Sequence, residues 1–245
     1  TLGPVTDGAL WFTEQSLGTT SVGKITPAGA ATMYNLPPDS YPQSIALGPD
    51  GALWYTDTGV NRIGRVTTTG GIVTYNLTAL PGGITAGPDG NLWFTLQAMG
   101  SGGDEIGRIT PTGVITTYDI PTANGGPARI AAGANGNLWF TENFSGKIGE
   151  INPSTDQMTE FNLPTANAGP LGIVKGPDGN MWFTENGANK VGMITPSGTV
   201  TEYPIPTPNS SPSGITVGSD GNLWFTESSG SANKLAEINP TTGVI

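Results

Sequence analysis

Acidic side chains recur at one position of a repeated hexapeptide, three residues after a tryptophan. A ring of carboxylates of this kind suits two chemistries, binding of a hard cation or general acid and base catalysis. A recurring acid can equally form a cross-strand ion pair with a basic residue of the next strand. Both interpretations are open at this point, and they make the five acids candidate ligand-binding residues. The five are Glu14, Asp57, Glu142, Glu185 and Glu227.

The repeats themselves test the ion-pair interpretation. In the third repeat the acid and the cation change together, to Leu96 and Glu105, which is what pairing predicts. Glu14 faces Ser21 instead of a cation, so pairing explains it least and it is the candidate catalytic carboxylate. The predicted partners are Arg62 for Asp57, Lys147 for Glu142, Lys190 for Glu185 and Lys234 for Glu227.

The composition excludes several kinds of chemistry. The 245 residues include no Cys and no His, so disulfides, thiolate nucleophiles, imidazole bases and imidazole metal ligands are excluded. The net charge of −10, from 9 basic and 19 acidic side chains, argues against nucleic acid or an anionic membrane as a partner. No apolar run approaches the roughly 18 residues that cross a bilayer. We expect no cofactor and no membrane insertion, while the identity of any metal stays unknown.

The elements that position these residues are six internal repeats. A hexapeptide of the type N-L-W-F-T-E follows a G-P-D-G-like stretch and precedes a K-I-G-x-I-T-P-x-G segment, at spacings of 39 to 46 residues. Asp-Gly and Asn-Gly turns favour hairpins, and the segments between them are rich in β-forming residues. Each repeat therefore predicts four short strands, named a to d in chain order. The hexapeptides contain Trp11, Trp54, Trp93, Trp139, Trp182 and Trp224.

Repeats of about 40 residues with four strands each are typical of β-propeller blades. We predict an all-β fold, with one β-propeller domain of six four-stranded blades over residues 1–245. The first repeat lacks the beginning of strand a and the last lacks strand d, so both end blades are incomplete. The six blades close a ring by themselves or form part of a seven-bladed propeller. The incomplete last blade also offers an edge for self-association.

Strand direction divides the ends of the blades between two faces. The b–c loops and the starts of strand a collect on one of them, called the loop face, where we expect an unknown ligand or protein to bind. Tyr41, Asp39, Asn143 and Asn186 belong to loops of this face. Because the tryptophans share one position of strand b, we predict that all six belong to the core.

Two basic residues stand where the other repeats are neutral. Arg129 lies at the start of strand a of the fourth repeat, and Lys175 lies within strand a of the fifth. Strand a lines the central channel of a propeller, so each is a candidate ligand-binding residue for an anionic group. The alternative is that both neutralise an acidic channel rim, because a charge there needs a partner.

The repeated G-P-D-G-N-L-W-F-T-E, followed by N-K-I-G-x-I-T-P-x-G-x-x-T-E-Y, resembles the virginiamycin B lyase (streptogramin lyase) family over essentially the whole chain. The resemblance implies a seven-bladed propeller that opens a cyclic depsipeptide antibiotic by Mg-assisted elimination, using histidine and glutamate. This chain departs from that pattern in having six repeats and no histidine. The catalytic histidines of the family therefore correspond to no residue here.

Three functions follow as hypotheses. The favoured one is a non-catalytic binding or scaffold propeller, extracytoplasmic or secreted, because the chain lacks histidine and its surface is acidic and rich in Thr, Asn and Gly. The first alternative is a divergent, Mg-dependent lyase in which Glu14 is the base. The second alternative is a repeat segment of a larger surface or filament protein.

Overall fold

A computed structural model describes residues 8–16, 19–98, 103–230 and 233–245. Within these ranges the regular secondary structure is β-strand alone, in 22 strands, which confirms the all-β prediction. In the same ranges the structure contains no helix long and apolar enough to cross a membrane.

The strands pair into six antiparallel sheets, which are the six predicted β-propeller blades. The chain forms two compact units, divided between Asp119 and Ile120, with three blades in each. Among the described residues, blades 1 and 6 have three strands each and the other blades have four. A single domain over residues 1–245 and a seven-bladed parent both stay predictions.

The first unit contains blades 1 to 3. Blade 1 consists of β1 (Leu10–Ser16), β2 (Thr19–Ile25) and β3 (Ala31–Asn35). Blade 2 consists of β4 (Pro42–Leu47), β5 (Leu53–Asp57), β6 (Arg62–Val66) and β7 (Ile72–Asn76). Blade 3 consists of β8 (Leu80–Ala86), β9 (Leu92–Gln97), β10 (Glu105–Ile109) and β11 (Ile115–Asp119).

The second unit contains blades 4 to 6. Blade 4 consists of β12 (Pro127–Ala132), β13 (Leu138–Glu142), β14 (Lys147–Ile151) and β15 (Met158–Asn162). Blade 5 consists of β16 (Pro170–Lys175), β17 (Met181–Glu185), β18 (Lys190–Ile194) and β19 (Val200–Pro204). Blade 6 consists of β20 (Pro212–Val217), β21 (Leu223–Glu227) and β22 (Lys234–Ile238).

The side chains of strand b point alternately to the two sides of the blade, and each side is a packing surface. Within each unit, the tryptophan side of a blade, called the Trp face, packs on the next blade along the chain. The opposite side, called the Leu face, carries the leucine or methionine before the tryptophan and the aromatic residue after it. In the second unit, for example, Trp139 of blade 4 packs in one cluster with Met181 and Phe183 of blade 5. Each blade therefore needs a neighbour on either side to bury its apolar residues.

The threonine of the hexapeptide ties adjacent blades together. In blade 5 the Thr184 hydroxyl accepts a hydrogen bond from Gly172 N in its own strand a, at 2.9 Å. The same hydroxyl donates to Ser213 O in strand a of blade 6, at 2.7 Å. Thr56 bridges blades 2 and 3 in the same way, with Gly82 O as the acceptor. This use of both hydroxyl functions explains a threonine at a fully buried position.

The prediction that all six tryptophans are buried is correct for five and wrong for Trp224. Trp11, Trp54, Trp93, Trp139 and Trp182 are at most 1% exposed, and each stacks on an aromatic ring of strand d. Trp224 is 36% exposed. The described part of blade 6 has neither a strand d nor a following blade to cover it.

Candidate functional site

The acids at the end of strand b are mostly inside the protein. Asp57, Glu142 and Glu185 have no exposed surface, and Glu227 is 3% exposed. Only Glu14, at the end of β1 in blade 1, is half-buried. These carboxylates lie on the Leu faces, next to the loop face, so they point into the blade packing more than toward a ligand.

Asp57 confirms the predicted cross-strand ion pair. Arg62 Nε lies 2.8 Å from Asp57 Oδ2, and Arg62 Nη2 also donates to Ser40 Oγ at 2.6 Å. The second carboxylate oxygen of Asp57 accepts hydrogen bonds from the backbone N–H groups of Tyr41, at 2.6 Å, and Gly59, at 3.2 Å. Asp57 thus anchors two loops of the loop face to strand b, which is a structural role.

The predicted pairs of Glu142 with Lys147 and of Glu185 with Lys190 are wrong. Lys147 Nζ lies 2.7 Å from Glu160 Oε2, and Lys190 Nζ lies 2.6 Å from Glu202 Oε2. Both partners belong to strand d, which lies on the other side of strand c. Glu185 and Lys190 do lie opposite each other on strands b and c, as the sequence predicts. The lysine side chain nevertheless turns toward strand d.

The strand d acids were missed in the sequence analysis, although the T-E-F and T-E-Y segments contain a signal for them. Blades 4 and 5 carry Glu160 and Glu202 there, and a Pro-Thr pair precedes strand a of each. Glu202 accepts from both the backbone N–H and the hydroxyl of Thr165. Burial raises the pKa of Glu202, but the hydrogen bonds from Lys190 and Thr165 outweigh it and leave the pKa below its usual value. Glu202 is therefore the favoured anion for Lys190.

Glu185 is the electrostatic exception. Neither of its carboxylate oxygens has a hydrogen-bond partner among the described residues. Burial raises its pKa, and repulsion from Glu202 adds to the effect, while Lys190 opposes it, and the result is a pKa of about 8. Its Oε1 lies 2.7 Å from where a Cβ would stand on Gly192, so the side chain lies flat on strand c. A pKa of about 8 favours the protonated form of Glu185 at neutral pH, inside blade 5.

The remaining acids have weaker local contacts. Glu142 accepts a hydrogen bond from Ser145 Oγ at 2.9 Å, and Glu14 accepts one from Ser21 Oγ at 2.5 Å. The expected Glu227–Lys234 ion pair does not form within the ranges that the structure describes, where Lys234 is exposed and Glu227 Oε2 has no partner.

The geometry does not assemble a cation site from these acids. No three acidic residues converge on a point suited to a metal ion anywhere in the described ranges. The acids are separated, one to a blade, and Asp57 already has an arginine and two N–H groups around it. The residues present thus do not fit the magnesium site that the family resemblance implies.

Arg129 differs from the paired cations. Arg62, Lys147 and Lys190 each contact a carboxylate, but no carboxylate contacts Arg129 among the residues described. Its guanidinium Nη1 donates a hydrogen bond to the carbonyl oxygen of the neighbouring Ala128, at 3.2 Å. The side chain is half-buried, and burial lowers the pKa of the guanidinium. An arginine stays charged under such conditions, so it is a partly desolvated cation without a counterion.

Lys175 lies at a different level of strand a from Arg129. Arg129 follows the bulge near the loop-face end of β12, where the register shifts between Pro127 and Ile130. Lys175 is the last residue of β16, opposite Met181, and is exposed. The structure does not bring these two candidate residues together at one site.

The predicted loop residues have mixed roles. Asn143 and Asn186 donate to Pro170 O and Pro212 O, at 3.2 and 3.1 Å, and so hold the b–c loops against strand a of the next blade. Asp39 adopts a positive φ of 63°, as a turn residue does. Tyr41 is 53% exposed. Phe144 was not among the predicted residues, and it is 69% exposed in the b–c loop of blade 4.

Residues 1–235 match the profile of the Virginiamycin B lyase family. The chain belongs to this family. No curated protein gave a significant match.

Two solved structures of virginiamycin B lyase from Staphylococcus aureus resemble the chain. The selenomethionine-substituted protein is 40% identical over 98% of this chain and 80% of its own, with a TM-score of 0.89. The second is a catalytically inactive variant, in which one histidine is replaced by alanine, with quinupristin. It is 37% identical over 99% of this chain and 85% of its own, with a TM-score of 0.85. A streptogramin B lyase structure is 35% identical over 96% of this chain and 80% of its own, also with a TM-score of 0.85.

Proposed function

We propose that this protein is a non-catalytic, ligand-binding member of the virginiamycin B lyase family. The observation that carries the proposal is that four of the five strand b acids, Asp57, Glu142, Glu185 and Glu227, are buried inside the blades and do not face a substrate. The lack of histidine supports it, since the inactive relative from S. aureus differs from an active lyase by the loss of one histidine.

The candidate contact for the ligand is Arg129. A half-buried guanidinium without a carboxylate partner is costly, and a bound anionic group recovers part of that cost through charge-assisted hydrogen bonds. Arg129 occupies a position where blades 5 and 6 have Gly172 and Gly214, so the neighbouring strands bring no side chain there. The proposed ligand carries a carboxylate or phosphate group that binds at this point of the loop face.

The first experiment tests catalysis with quinupristin, the compound present in the structure of the relative. Ring opening by elimination leaves the mass unchanged, so the product is identified by its chromatographic retention and fragmentation. We expect no ring-opened product with or without Mg²⁺, under conditions in which S. aureus virginiamycin B lyase converts the compound. Ring opening by this chain would overturn the non-catalytic assignment.

The second experiment tests the anion site with inorganic phosphate as the probe. Calorimetric titration at low ionic strength is expected to detect binding to the wild type and a loss of about tenfold or more in affinity for Arg129→Gln. Arg65→Gln is the matched control, because Arg65 is already paired with Asp50 at 2.6 Å. Equal phosphate affinity in all three proteins would rule out Arg129 as the anchor.

A divergent lyase is the second candidate, favoured by the family match and by the partial exposure of Glu14. Glu14 would act as the base that removes the substrate proton. Glu14 already accepts a hydrogen bond from Ser21 Oγ, which would have to be exchanged for one with the substrate. The quinupristin assay on Glu14→Gln decides this candidate, because the lyase function requires turnover by the wild type that the variant loses.

A further inference from the structure

An asparagine followed by a glycine occurs three times in this chain, each time in the second unit. The backbone nitrogen of the glycine can attack the side-chain amide carbon of such an asparagine without an enzyme, because no Cβ obstructs the approach. The reaction needs a mobile amide side chain and a free glycine N–H, so the hydrogen bonds around each pair decide whether it takes place. The three pairs are Asn124–Gly125, Asn135–Gly136 and Asn186–Gly187.

The pair in the a–b turn of blade 4 is held by its side chain. Asn135 Oδ1 accepts hydrogen bonds from Asn137 N at 3.2 Å and from Trp139 Nε1 at 3.3 Å. Asn135 Nδ2 donates to Glu150 Oε1 at 2.7 Å. A side chain fixed at both ends does not turn its amide carbon toward the backbone nitrogen of Gly136. We therefore expect this pair to react only when the turn opens locally.

The pair in the b–c loop of blade 5 is held at both reacting groups. Asn186 Nδ2 donates to Pro212 O at 3.1 Å, which fixes the side chain against strand a of blade 6. The attacking nitrogen is occupied as well, since Gly187 N donates to Ala168 O at 2.9 Å. This pair is also expected to react only after local opening of the loop.

The third pair, which precedes strand a of blade 4 on the loop face, is held at neither reacting group. Asn124 is exposed. Within the described part of the chain, its side chain makes no hydrogen bond and the N–H of Gly125 has no acceptor. The carbonyl of Gly125 does accept, from Phe144 N at 2.9 Å and from Ser145 N at 3.2 Å. The turn is thus anchored through its carbonyl, and the attacking nitrogen stays free.

Equivalent turns in blades 5 and 6 show that the reactive pair is not needed to form the turn. Asn124 has a φ of 55°, and its equivalents Asn167 and Asn209 have φ values of 54° and 53°. The residues that follow these two equivalents are Ala168 and Ser210. The positive φ therefore accounts for the asparagine, which tolerates this conformation, but not for a glycine after it.

We propose that Asn124 is a site of spontaneous deamidation in the folded protein, whereas Asn135 and Asn186 are protected. The Gly125 nitrogen forms a bond to Asn124 Cγ and gives up its proton, and the side-chain nitrogen leaves as ammonia. Water then opens the resulting cyclic imide at either of its two carbonyl groups. One opening gives an aspartate at this position, and the other gives an isoaspartyl linkage with one more methylene in the main chain.

The modification changes the loop face of blade 4 in two ways. Both products add a negative charge there, in the same blade as Arg129. The isoaspartyl form also lengthens the main chain directly before Gly125, whose carbonyl holds the backbone of Phe144 and Ser145. Its formation is therefore expected to loosen the b–c loop of this blade. The chemistry itself does not depend on the proposed ligand.

The test is peptide mapping of the purified protein after incubation at mildly alkaline pH, where the glycine nitrogen loses its proton more readily. Trypsin cleaves after Lys and Arg and so separates the three asparagines into peptides 109–129, 130–147 and 176–190. Mass and chromatographic retention identify the aspartyl and isoaspartyl forms of each peptide. In the folded protein we expect Asn124 to convert at least about tenfold faster than the other two, which react only through local opening.

The same protein unfolded in urea is the control, because urea removes the hydrogen bonds and leaves the sequence unchanged. There we expect the three pairs to convert at similar rates. Equal conversion of the three pairs in the folded protein would overturn the proposal. A preference for Asn124 that persists in urea would overturn it as well, since the neighbouring sequence and not the structure would then be the cause.

Two variants test the role of the local contacts. Glu150→Ala removes the acceptor of Asn135 Nδ2 and is expected to accelerate conversion of Asn135 severalfold while that of Asn124 stays unchanged. Gly125→Ala gives blade 4 the residue of blade 5 and is expected to slow conversion of Asn124 about tenfold, because a Cβ obstructs the attack. Circular dichroism and the thermal midpoint verify that both variants are folded. Wild-type conversion rates in both variants would refute the assignment.

Discussion

Asp57 in blade 2 and Glu185 in blade 5 occupy the same position of the repeat and are both fully buried, yet their surroundings are opposite. Asp57 accepts hydrogen bonds from Arg62 and from two backbone N–H groups. Glu185 accepts none among the described residues, and its pKa rises to about 8. The comparison teaches that burial alone does not determine the charge of an acid at this position. The donors that the neighbouring residues supply determine it.

The difference between the two sites originates in strand d. Opposite the strand c glycine, blade 2 has Thr74 and blade 5 has Glu202. With no acid in strand d, Arg62 remains available to Asp57. In blade 5, Glu202 is already held by Thr165, so it attracts Lys190 away from Glu185. One residue outside the site thus decides which acid obtains the cation.

The largest effect is expected for Asp57→Ala. The substitution leaves the Arg62 guanidinium and two N–H groups without their acceptor in a buried setting, which costs about 3–5 kcal/mol in free energy of unfolding. Urea denaturation at pH 7 measures the loss. Glu14→Ala is the control, because it removes only one hydrogen bond from a half-buried acid and is expected to cost about 1 kcal/mol. Equal losses of free energy of unfolding in both variants would show that the Asp57 contacts stabilise the protein no more than the single hydrogen bond of Glu14 does.

The next largest expected effect is a pH dependence of the free energy of unfolding, caused by Glu185. The pKa of Glu185 is higher in the folded protein, about 8, than its ordinary value of 4.5, so between these pH values the folded state keeps a proton that the unfolded chain loses. Stability from this group is fully present below pH 4.5 and falls by about 1.4 kcal/mol per pH unit until the pH passes the folded pKa.

Glu185→Gln isolates this contribution because it removes the titrating group. Relative to wild type, the variant is expected to gain a few kcal/mol in free energy of unfolding between pH 4.5 and pH 8 and to gain nothing further above. Taking the difference between two proteins cancels the other acids. A difference that does not change with pH would mean that Glu185 is ionised in the folded state at neutral pH.

Glu202→Thr converts the surroundings of Glu185 into those of Asp57. The substitution removes a repelling charge and releases Lys190, and both changes lower the pKa of Glu185, by about 1–2 units. The measurement is the ¹³C chemical shift of the Glu185 carboxyl as a function of pH. Glu237→Thr, which removes an exposed acid from blade 6, is the control and is expected to leave the pKa unchanged. A pKa still near 8 in Glu202→Thr would refute the strand d explanation.

Local residue patterns predicted the fold but only part of the site. Trp, Gly and Asp-Gly signals repeat with the blades, so the strand order within each blade followed from the spacing. The Asp57–Arg62 pair followed as well, because both residues lie opposite each other on adjacent strands. The contacts of Lys147 and Lys190 could not be predicted in this way, because each lysine lies near one acid of strand b and one of strand d. Thr122 and Thr165, which are distant in sequence, donate hydrogen bonds to the strand d acids, and the lysines pair with those acids. The exposure of Trp224 likewise depends on packing between blades, which one repeat does not specify.

The smallest expected effect follows from a comparison of the b–c loops of blades 4 and 5. Ser145 Oγ donates to Glu142, whereas the equivalent residue of blade 5 is Ala188, which has no donor. Ala188→Ser is therefore expected to supply a hydrogen bond to the charged form of Glu185, to lower its pKa by about one unit and to stabilise the protein by about 1 kcal/mol at pH 8. The same carboxyl titration measures the shift. Ser145→Ala is the reciprocal control and is expected to cost about 1 kcal/mol. If Ala188→Ser raised the free energy of unfolding equally at pH 4 and pH 8, the gain would come from packing and not from the charge of Glu185. In that case a single hydroxyl would not account for the difference between the two blades.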